Sequence, residues 1–234
     1  MKLDEYSKKY IHYYSDELPA LIKATFKENK IKRFADLGSG DGSILFALFK
    51  NGLLDNAESI IAVDVSEDRI RNVKNISDRI CCIVTDVGNM PMIANESLDF
   101  AISNQVIEHM IDEEGLIKEA FRILAKDGML YLSTVFKKWY GWYFYRCNGK
   151  WALDPTHLKE YTSEAQLLDK IKKYGFKILV NKKSMFWFPV TDFIFKRIGI
   201  SRNAYDNRFL RLLRYIRIPI IGYYNWEIVL RKNV

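Results

Sequence analysis

The sequence predicts an α/β fold in which helices cover both faces of a mostly parallel sheet. Short runs of apolar and β-branched residues alternate with segments of helical periodicity, which is typical of such doubly wound sheets. A turn with three glycines, Gly38, Gly40 and Gly42, directly follows the first of these runs. The chain has 234 residues, of which 49% are hydrophobic and 28% charged, and this is enough for one folded domain with its own core.

The predicted elements follow one another in strict alternation until two strands finish the sheet. The first five strands are predicted at 33–37, 59–64, 80–85, 98–104 and 129–135, and the intervening helices at 43–51, 67–75 and 113–125. Ser163 and Gln166 predict a capping box for a further helix, which Gly175 ends. The last two strands are predicted at 176–182 and 223–231. Cys81 and Cys82 are expected to be core residues of a buried strand.

The turn after the first strand indicates a ligand site. The strand ends in Asp36 and Leu37, and the alternate glycines leave backbone amides at a helix start with no Cβ in the way of a ligand. A dinucleotide fingerprint would need glycine at position 43, where Ser43 stands. The spacing therefore argues against a nicotinamide cofactor. Alternate glycines also occur in ordinary tight turns, so the loop alone does not define its ligand.

Polar residues also end the next three strands. Asp64 ends the second strand, and its two carboxylate oxygens suit a pair of ribose hydroxyls. Asp86 follows the third strand and Asn104 ends the fourth. Each acid alone is equally well explained as a cap of the following helix. Four such elements in order, with suitable gaps, favour a nucleoside-binding edge of the sheet.

The D-x-G-x-G-x-G loop, the strand-end acids and the segment 103–109 ending in Glu-His resemble the class I S-adenosylmethionine-dependent methyltransferases of the type 11, or ubiquinone-biosynthesis-like, group. This resemblance implies a Rossmann-like seven-stranded sheet with its last pair antiparallel. It also implies that S-adenosyl-L-methionine is the cofactor. The cofactor-binding residues implied are Asp36, Gly38, Ser39, Gly40, Asp64, Val65, Asp86, Val87 and Asn104.

The resemblance covers residues 30–183 and 223–231 of a single predicted domain, 1–234. Residues 1–29 are expected to form a helical lid in which His12 lines the pocket together with Tyr6, Tyr10, Tyr13 and Tyr14. A packing stripe of Tyr10, Tyr13 and Tyr14 is the alternative. Residues 184–222 form a basic and aromatic insertion before the last strand, expected on the substrate side.

Residues 154–162 carry the candidate catalytic base. The sequence His-Leu-Lys-Glu-Tyr-Thr that begins at His157 resembles a segment of many type 11 methyltransferases, and it follows the fifth strand, where sites form in such folds. His157 would accept the proton of a hydroxyl acceptor, and the alternative is that it only fixes its loop. His12, His109 and His157 are widely separated in the sequence, so no metal site is predicted.

The excess positive charge lies in the C-terminal part of the chain. Residues 182–234 hold 11 lysines and arginines against three acids, a net of +8, whereas residues 1–181 have a net of −1. Arg208, Arg211, Arg214 and Arg217 predict a helix with a cationic face beside an apolar one. Either this helix packs over the pocket with solvated arginines, or it gives residues 184–222 a peripheral contact with an anionic membrane. Nucleic acid is the least favoured partner, because no RNA-binding module is present.

The predicted reaction is methyl transfer to an oxygen of a small-molecule or glycan-like acceptor, and the glycan rests on the resemblance alone. A lipophilic or quinone-like acceptor at a membrane is one alternative, and a non-catalytic module that keeps the cofactor pocket is another. Because the sequence shows no signal peptide, no membrane span and no paired cysteines, we expect a cytoplasmic protein, at most peripheral to the membrane. The acceptor, the oligomeric state and the pathway do not follow from the sequence.

Overall fold

A computed structural model describes residues 13–147 and 149–233. The strands, in chain order, are β1 (Arg33–Leu37), β2 (Ser59–Asp64), β3 (Ile80–Val84), β4 (Leu98–Asn104), β5 (Leu124–Lys137), β6 (Tyr145–Cys147), β7 (Lys150–Ala152), β8 (Phe176–Pro189) and β9 (Arg217–Lys232). Seven of them form one sheet in the order β3-β2-β1-β4-β5-β9-β8, and β6 and β7 form a separate hairpin. The strands from β1 to β5 are parallel, and β9 is antiparallel to both of its neighbours. The predicted seven-stranded fold is therefore confirmed.

The helices are α1 (Ala20–Glu28), α2 (Ser43–Lys50), α3 (Glu67–Lys74), α4 (Glu113–Ile123), α5 (Ala165–Lys173), α6 (Val190–Ile198) and α7 (Arg208–Leu213). Short 3₁₀ turns cover Ile107–His109 and Ala204–Asp206. Among the helices of the described residues, none has the length and apolarity needed to cross a bilayer.

Two helix starts next to the site are fixed by their caps. The Ser66 side chain accepts a hydrogen bond from the Arg69 amide at the start of α3, and the first turn carries Glu67 and Asp68. At α4 the Asp112 side chain accepts from the Gly115 amide. These caps satisfy amides that have no partner within the helix, and the acidic residues interact favourably with its dipole.

The core consists of two layers, one on each face of the sheet. Helices α1, α2 and α3 bury Ile22, Leu45 and Val73 on one face, against strand residues such as Phe34 and Phe100. On the other face, α4 and α5 cover side chains of β1, β4, β5 and β9, with Leu116, Ile117, Leu167 and Trp226 in the core. Each fully buried large apolar side chain contributes about 1.5–3 kcal/mol relative to an exposed one. These layers fix the carboxyl ends of the strands, where the candidate site lies.

The prediction that Cys81 and Cys82 are core residues is wrong. Cys81 is exposed and Cys82 is only half-buried. The reason is that β3 is the edge strand of the sheet, with one neighbour instead of two. Alternation of apolar residues does not show which strand becomes an edge.

The last two strands are longer than predicted. Residues 187–189 of β8 pair with residues 217–219 of β9, beyond the part of β9 that pairs with β5. Helix α7 ends at Leu213 and Arg217 begins β9, so the prediction of one helix carrying four arginines is wrong. The run of isoleucines from Ile216 favours a strand, and Pro219 has no N–H for a helix.

Residues 13–17 pack against the segment between β8 and β9. The ring of Tyr13 lies 5.8 Å, between centroids, from both Phe195 and Tyr205. Ion pairs reinforce this contact, with N–O distances of 3.3 Å for Arg211–Asp16, 3.3 Å for Arg214–Glu17 and 2.6 Å for Arg217–Glu17. Three of the four arginines predicted to form a cationic face are thus paired with acids of the N-terminal segment.

We expect Gly222→Ala to destabilise the protein more than Gly199→Ala. Both glycines have positive φ, +80° and +68°, so both alanines carry the left-handed penalty of about 1–2 kcal/mol. At Gly222 an added Cβ would also lie 2.4 Å from the Gly141 Cα, whereas at Gly199 nothing lies within 4 Å. The overlap should lower the free energy of unfolding by a further ~1–3 kcal/mol, as measured by urea unfolding. Equal losses in the two variants would contradict this prediction.

Candidate active site

The glycine loop between β1 and α2 is closed by hydrogen bonds to β2. The amides of Gly38 and Ser39 donate to the Val63 carbonyl, both at 2.8 Å. Gly38 has φ +78°, and an added Cβ would lie 2.4 Å from a Val106 methyl carbon. Glycine is therefore required at position 38, both by its backbone conformation and by the close approach of the segment after β4.

Asp64 connects this loop to the start of α3. Its Oδ2 accepts from the Gly40 amide and its Oδ1 from the Ser66 amide, both at 2.8 Å. The side chain is buried at the carboxyl end of β2. A carboxylate oxygen can accept more than one hydrogen bond, so these two bonds leave acceptor capacity on Asp64. Its role towards ribose hydroxyls stays a prediction.

Asp36 is a buried acid whose Oδ2 has no hydrogen-bond partner in the described part of the chain. Burial, together with the charge of Asp64, raises the pKa of Asp36 to about 7. Ser39 Oγ is likewise buried with no hydrogen-bond partner among the described residues. Buried polar atoms without partners are uncommon, and here they lie beside the loop. Acceptors in this position suit a cationic ligand.

The remaining predicted cofactor residues lie along the same edge of the sheet. Val65 is exposed, and Asp86 is an exposed residue whose Oδ1 accepts from the Gly88 amide at 2.7 Å. Val87 is buried, and Asn104 Oδ1 accepts from Ser133 Oγ at 2.7 Å. The topology places these residues at the carboxyl ends of β2, β3 and β4, next to the glycine loop after β1. The part of Asp86 in the site stays a prediction.

His109 and His157 come together, although the sequence separates them widely. Their ring centroids are 4.9 Å apart, and one ligand atom each from Glu108, His109 and His157 lie within 4.8 Å of one another. Their separation in the sequence, from which no metal site was predicted, therefore does not hold in space for His109 and His157. The amide of Leu158 donates to the Glu108 carbonyl at 2.9 Å and holds the two segments together. Such a grouping has the residue types and dimensions of a metal site.

Hydrogen bonds orient this cluster, and burial and neighbouring charges shift the pKa values of its side chains. His157 Nδ1 lies 2.9 Å from Glu160 Oε1. Burial lowers the pKa of His157, but the bond to Glu160 and the charge of Glu108 outweigh this, so its pKa is raised overall. Burial and the charge of His157 lower the pKa of His109 to about 4, and burial raises the pKa of Glu108 to about 7. His157 is therefore the stronger base of the two histidines.

Two further residues of the site were missed from the sequence. Glu160 belongs to the motif that begins at His157, but no role was predicted for it. Its position three residues after His157 could have indicated that it contacts the imidazole ring. Gln105 has φ +57°, which is unusual for a residue other than glycine. Its amide donates to the Ser133 carbonyl at 3.0 Å and its Nε2 to Asn225 Oδ1 at 2.9 Å. No pattern in the sequence indicates this conformation, which requires contacts from β5 and β9.

The N-terminal segment reaches the glycine loop. Tyr14 stacks on Phe46, and its hydroxyl donates to the Asp41 carbonyl at 2.7 Å. The buried Asp41 carboxylate lies 3.2 Å from Arg202 and accepts from Asn72 at 3.1 Å. Tyr6, Tyr10 and His12 of the predicted lid lie outside the described residues, and Tyr13 packs against Phe195 and Tyr205. The lid therefore stays a prediction.

Comparison with known proteins agrees with this architecture. Residues 35–132 match the family model described as "Methyltransferase domain" of the type 11 group. A mycobacterial protein named "probable S-adenosylmethionine-dependent methyltransferase", from Mycobacterium tuberculosis H37Rv, is 30% identical over 100 residues, 43% of this chain. The chain spans about a third of that relative, since the match covers 34% of it. The ubiquinone biosynthesis O-methyltransferase of Pelagibacter ubique is 23% identical over 81% of this chain and 79% of its own.

Solved structures extend the likeness of the fold to nearly the whole chain. The cyclase SpnF superposes with a TM-score of 0.63 over 96% of this chain and 89% of its own, at 20% identity. A geranyl diphosphate methyltransferase in complex with SAM gives a TM-score of 0.53 over 86% of this chain and 78% of its own, at 13% identity. Residues 35–132 are thus similar to the methyltransferase domain of the type 11 group, and the chain shares the fold of these solved structures.

We expect Asp36→Asn to stabilise the protein relative to wild type as the pH rises. A carboxyl whose folded pKa lies near 7, above its unfolded value near 4, destabilises the fold progressively between those two pH values. Asparagine cannot ionise, so the variant should gain roughly 2–4 kcal/mol over wild type between pH 4 and pH 8. Urea unfolding at several pH values measures this gain. Ser39→Ala is the control, because serine does not titrate in this range and its effect should not vary with pH. A pH-independent effect of Asp36→Asn would be inconsistent with a raised pKa.

Proposed function

We propose that the protein binds S-adenosyl-L-methionine against the glycine loop and catalyses transfer of its methyl group to an acceptor. The observation that carries the proposal is the pair of neighbouring buried carboxyls at the loop, with Asp36 Oδ2 lacking a hydrogen-bond partner among the described residues. When bound, this cofactor supplies a methyl group already activated on a positively charged sulfur. A cation with a ribose and an adenine fits acids at this edge of the sheet.

The residues that would hold the cofactor follow from their places along the edge. The amides of Gly38, Ser39 and Gly40 are bonded to β2, so the amides offered to the cofactor would be those of the first turn of α2. The space beside Gly40 is open, since a Cβ added there would come no closer than 3.7 Å to another side chain. Asp64 retains acceptor capacity for ribose hydroxyls, and Asp36 would provide negative charge. The adenine would lie beside the exposed Val65, with Asp86 and Val87 beyond it. These residue assignments are part of the proposal.

The work of the protein in this reaction is mainly to align the acceptor. Correct positioning of two reactants can contribute about 7–11 kcal/mol to lowering a barrier. For a hydroxyl acceptor, a base adds about 10²–10⁴-fold. His157 would accept the proton on its Nε2, because its Nδ1 faces Glu160. Glu160 would keep the ring oriented and stabilise the charged imidazolium.

The acceptor is proposed to be an oxygen atom of a small molecule or glycan-like group, since an oxygen nucleophile is the one that benefits from a buried histidine base. A lipophilic, quinone-like acceptor is the second candidate, and the name of the Pelagibacter relative, a ubiquinone biosynthesis O-methyltransferase, favours it. A non-catalytic module that keeps the cofactor pocket is the third, because a fold alone does not imply a reaction; the cyclase SpnF, for example, has this fold with a different named activity. A screen with methyl-labelled cofactor against soluble and lipid-extract acceptor pools separates the three. Cofactor binding with no product in any pool would favour the non-catalytic module.

With an acceptor identified, His157→Gln should lower kcat by about 10²–10⁴-fold and leave cofactor affinity unchanged. Glu160→Gln should lower kcat less, because the ring remains but its orientation and charge lose support. Both values come from initial rates of methyl transfer, with cofactor affinity from calorimetry as the check on folding. Glu164→Gln is the matched control, since Glu164 pairs with Lys183 and Asn181 away from the cluster. An undiminished kcat in a folded His157→Gln variant would exclude the histidine as the base.

A further inference from the structure

The segment that follows β5 exposes an unusual number of aromatic rings. Residues 137–152 contain seven aromatic residues, four lysines and arginines, and no acid. Relative exposure is 92% for Trp139, 53% for Trp142 and 74% for Phe144. Clustered exposed rings of this kind generally mark a contact surface.

These rings are held by one another and by the β6–β7 hairpin. The ring of Trp142 lies 5.2 Å from Phe144 and 5.6 Å from Trp151, between centroids. The guanidinium of Arg146 stacks over Trp151 at 4.2 Å. Trp142 and Phe144 therefore belong to one packed group of rings, and Trp139 packs on Tyr140 in the same segment.

The same surface continues onto the β8–β9 extension. The Lys138 amide donates to the Gly222 carbonyl at 2.8 Å, and the rings of Tyr143 and Tyr223 lie 6.3 Å apart. Next to this contact on β9 are two further exposed apolar residues, Ile218 and Ile221, at 59% and 70% exposure. We call the surface made of Trp139, Trp142, Phe144, Ile218 and Ile221 the aromatic face.

We propose that the aromatic face docks on the surface of a bilayer that contains anionic phospholipid. Tryptophan, phenylalanine and isoleucine insert at the boundary between headgroups and acyl chains, and nearby lysines and arginines bind anionic headgroups. Exposed Lys138, Arg146 and Lys150 lie within the acid-free segment. A nucleic acid would be bound by stacking rings, but it gives no reason for exposed isoleucines.

The aromatic face is a different surface from the arginine-rich helix that the sequence offered for membrane contact. The membrane alternative in the sequence analysis would have Arg211, Arg214 and Arg217 face lipid, but they form ion pairs with Asp16 and Glu17. The cations of the segment 137–152 lie beside the exposed rings instead. Of the aromatic face, only Ile218 and Ile221 belong to the insertion at 184–222.

The aromatic face lies at the edge of the sheet that carries the candidate site. Residues 138–152 leave the carboxyl end of β5, and the glycine loop, Asp64 and Asn104 lie at the carboxyl ends of β1, β2 and β4. A docked bilayer would therefore be adjacent to the edge that an acceptor must reach. This consequence for the acceptor rests on the proposed function, whereas the docking itself does not.

The test is co-sedimentation of the full chain with vesicles of phosphatidylcholine alone and of phosphatidylcholine mixed with phosphatidylglycerol. We expect binding to the mixed vesicles, weakened by salt, and little binding to phosphatidylcholine alone. Phe144→Ser should lower the binding constant at least about threefold, and the double variant with Trp139→Ser about tenfold or more. Met92→Ser, at 75% exposure for Met92 against 74% for Phe144, is the matched control and should bind as wild type does.

The electrostatic part is tested by Lys138→Gln with Lys150→Gln, compared with Lys74→Gln and Lys172→Gln on α3 and α5. Only the first pair should reduce binding to the mixed vesicles and flatten its salt dependence. Any of three results would overturn the proposal. The first is equal binding to both kinds of vesicle, and the second is equal loss in control and test variants. The third is that wild type is a dimer and Phe144→Ser a monomer in sedimentation velocity. Preferential binding of RNA by the same face would also overturn it. Thermal midpoints confirm folding of the variants, and methyl transfer to a soluble acceptor tests the proposed function separately.

Discussion

The candidate site depends on the two hydrogen bonds that the Asp64 carboxylate accepts from the amides of Gly40 and Ser66. One bond fixes the glycine loop and the other fixes the start of α3, so a single buried acid sets the distance between two helix N-termini. Hydrogen bonds from backbone amides to a charged carboxylate are among the stronger ones in proteins. When the carboxylate is buried, losing such a bond costs more free energy, because no water replaces it. Burial, and secondly this charge, raise the pKa of the neighbouring Asp36.

A second buried acid fixes the segment that carries His157. Glu113, at the start of α4, accepts a hydrogen bond from the Tyr161 hydroxyl and pairs with Lys159 at 2.6 Å and with Lys170. The Lys137 amide donates to the Tyr161 carbonyl at 2.7 Å, which attaches the same segment to the end of β5. His157 is therefore positioned by contacts from α4, β5 and the Glu-His segment after β4, and its own loop supplies Glu160.

The elements outside the shared core divide into two groups at this edge. Residues 13–17 and the segment between β8 and β9 pack together and meet the glycine loop at Asp41 through Tyr14 and Arg202. The segment 138–152 and the β8–β9 extension instead expose aromatic and aliphatic side chains. The first group is built of ion pairs and buried tyrosines, as expected of a structure that covers a pocket. The second has cations without acids, which suits an anionic surface.

The sequence by itself determined the sheet, the glycine loop and the order of the strand-end acids, because apolar periodicity and glycine spacing are local properties of the chain. It could not place His109 beside His157, since residues 48 positions apart meet only when β4 and β5 pair. It also missed the left-handed Gln105, the edge position of β3 and the extension of β9, each of which depends on a partner distant in the chain. Tertiary structure decided which arginines are neutralised and which aromatic rings stay exposed, because pairing and burial are properties of neighbours in space.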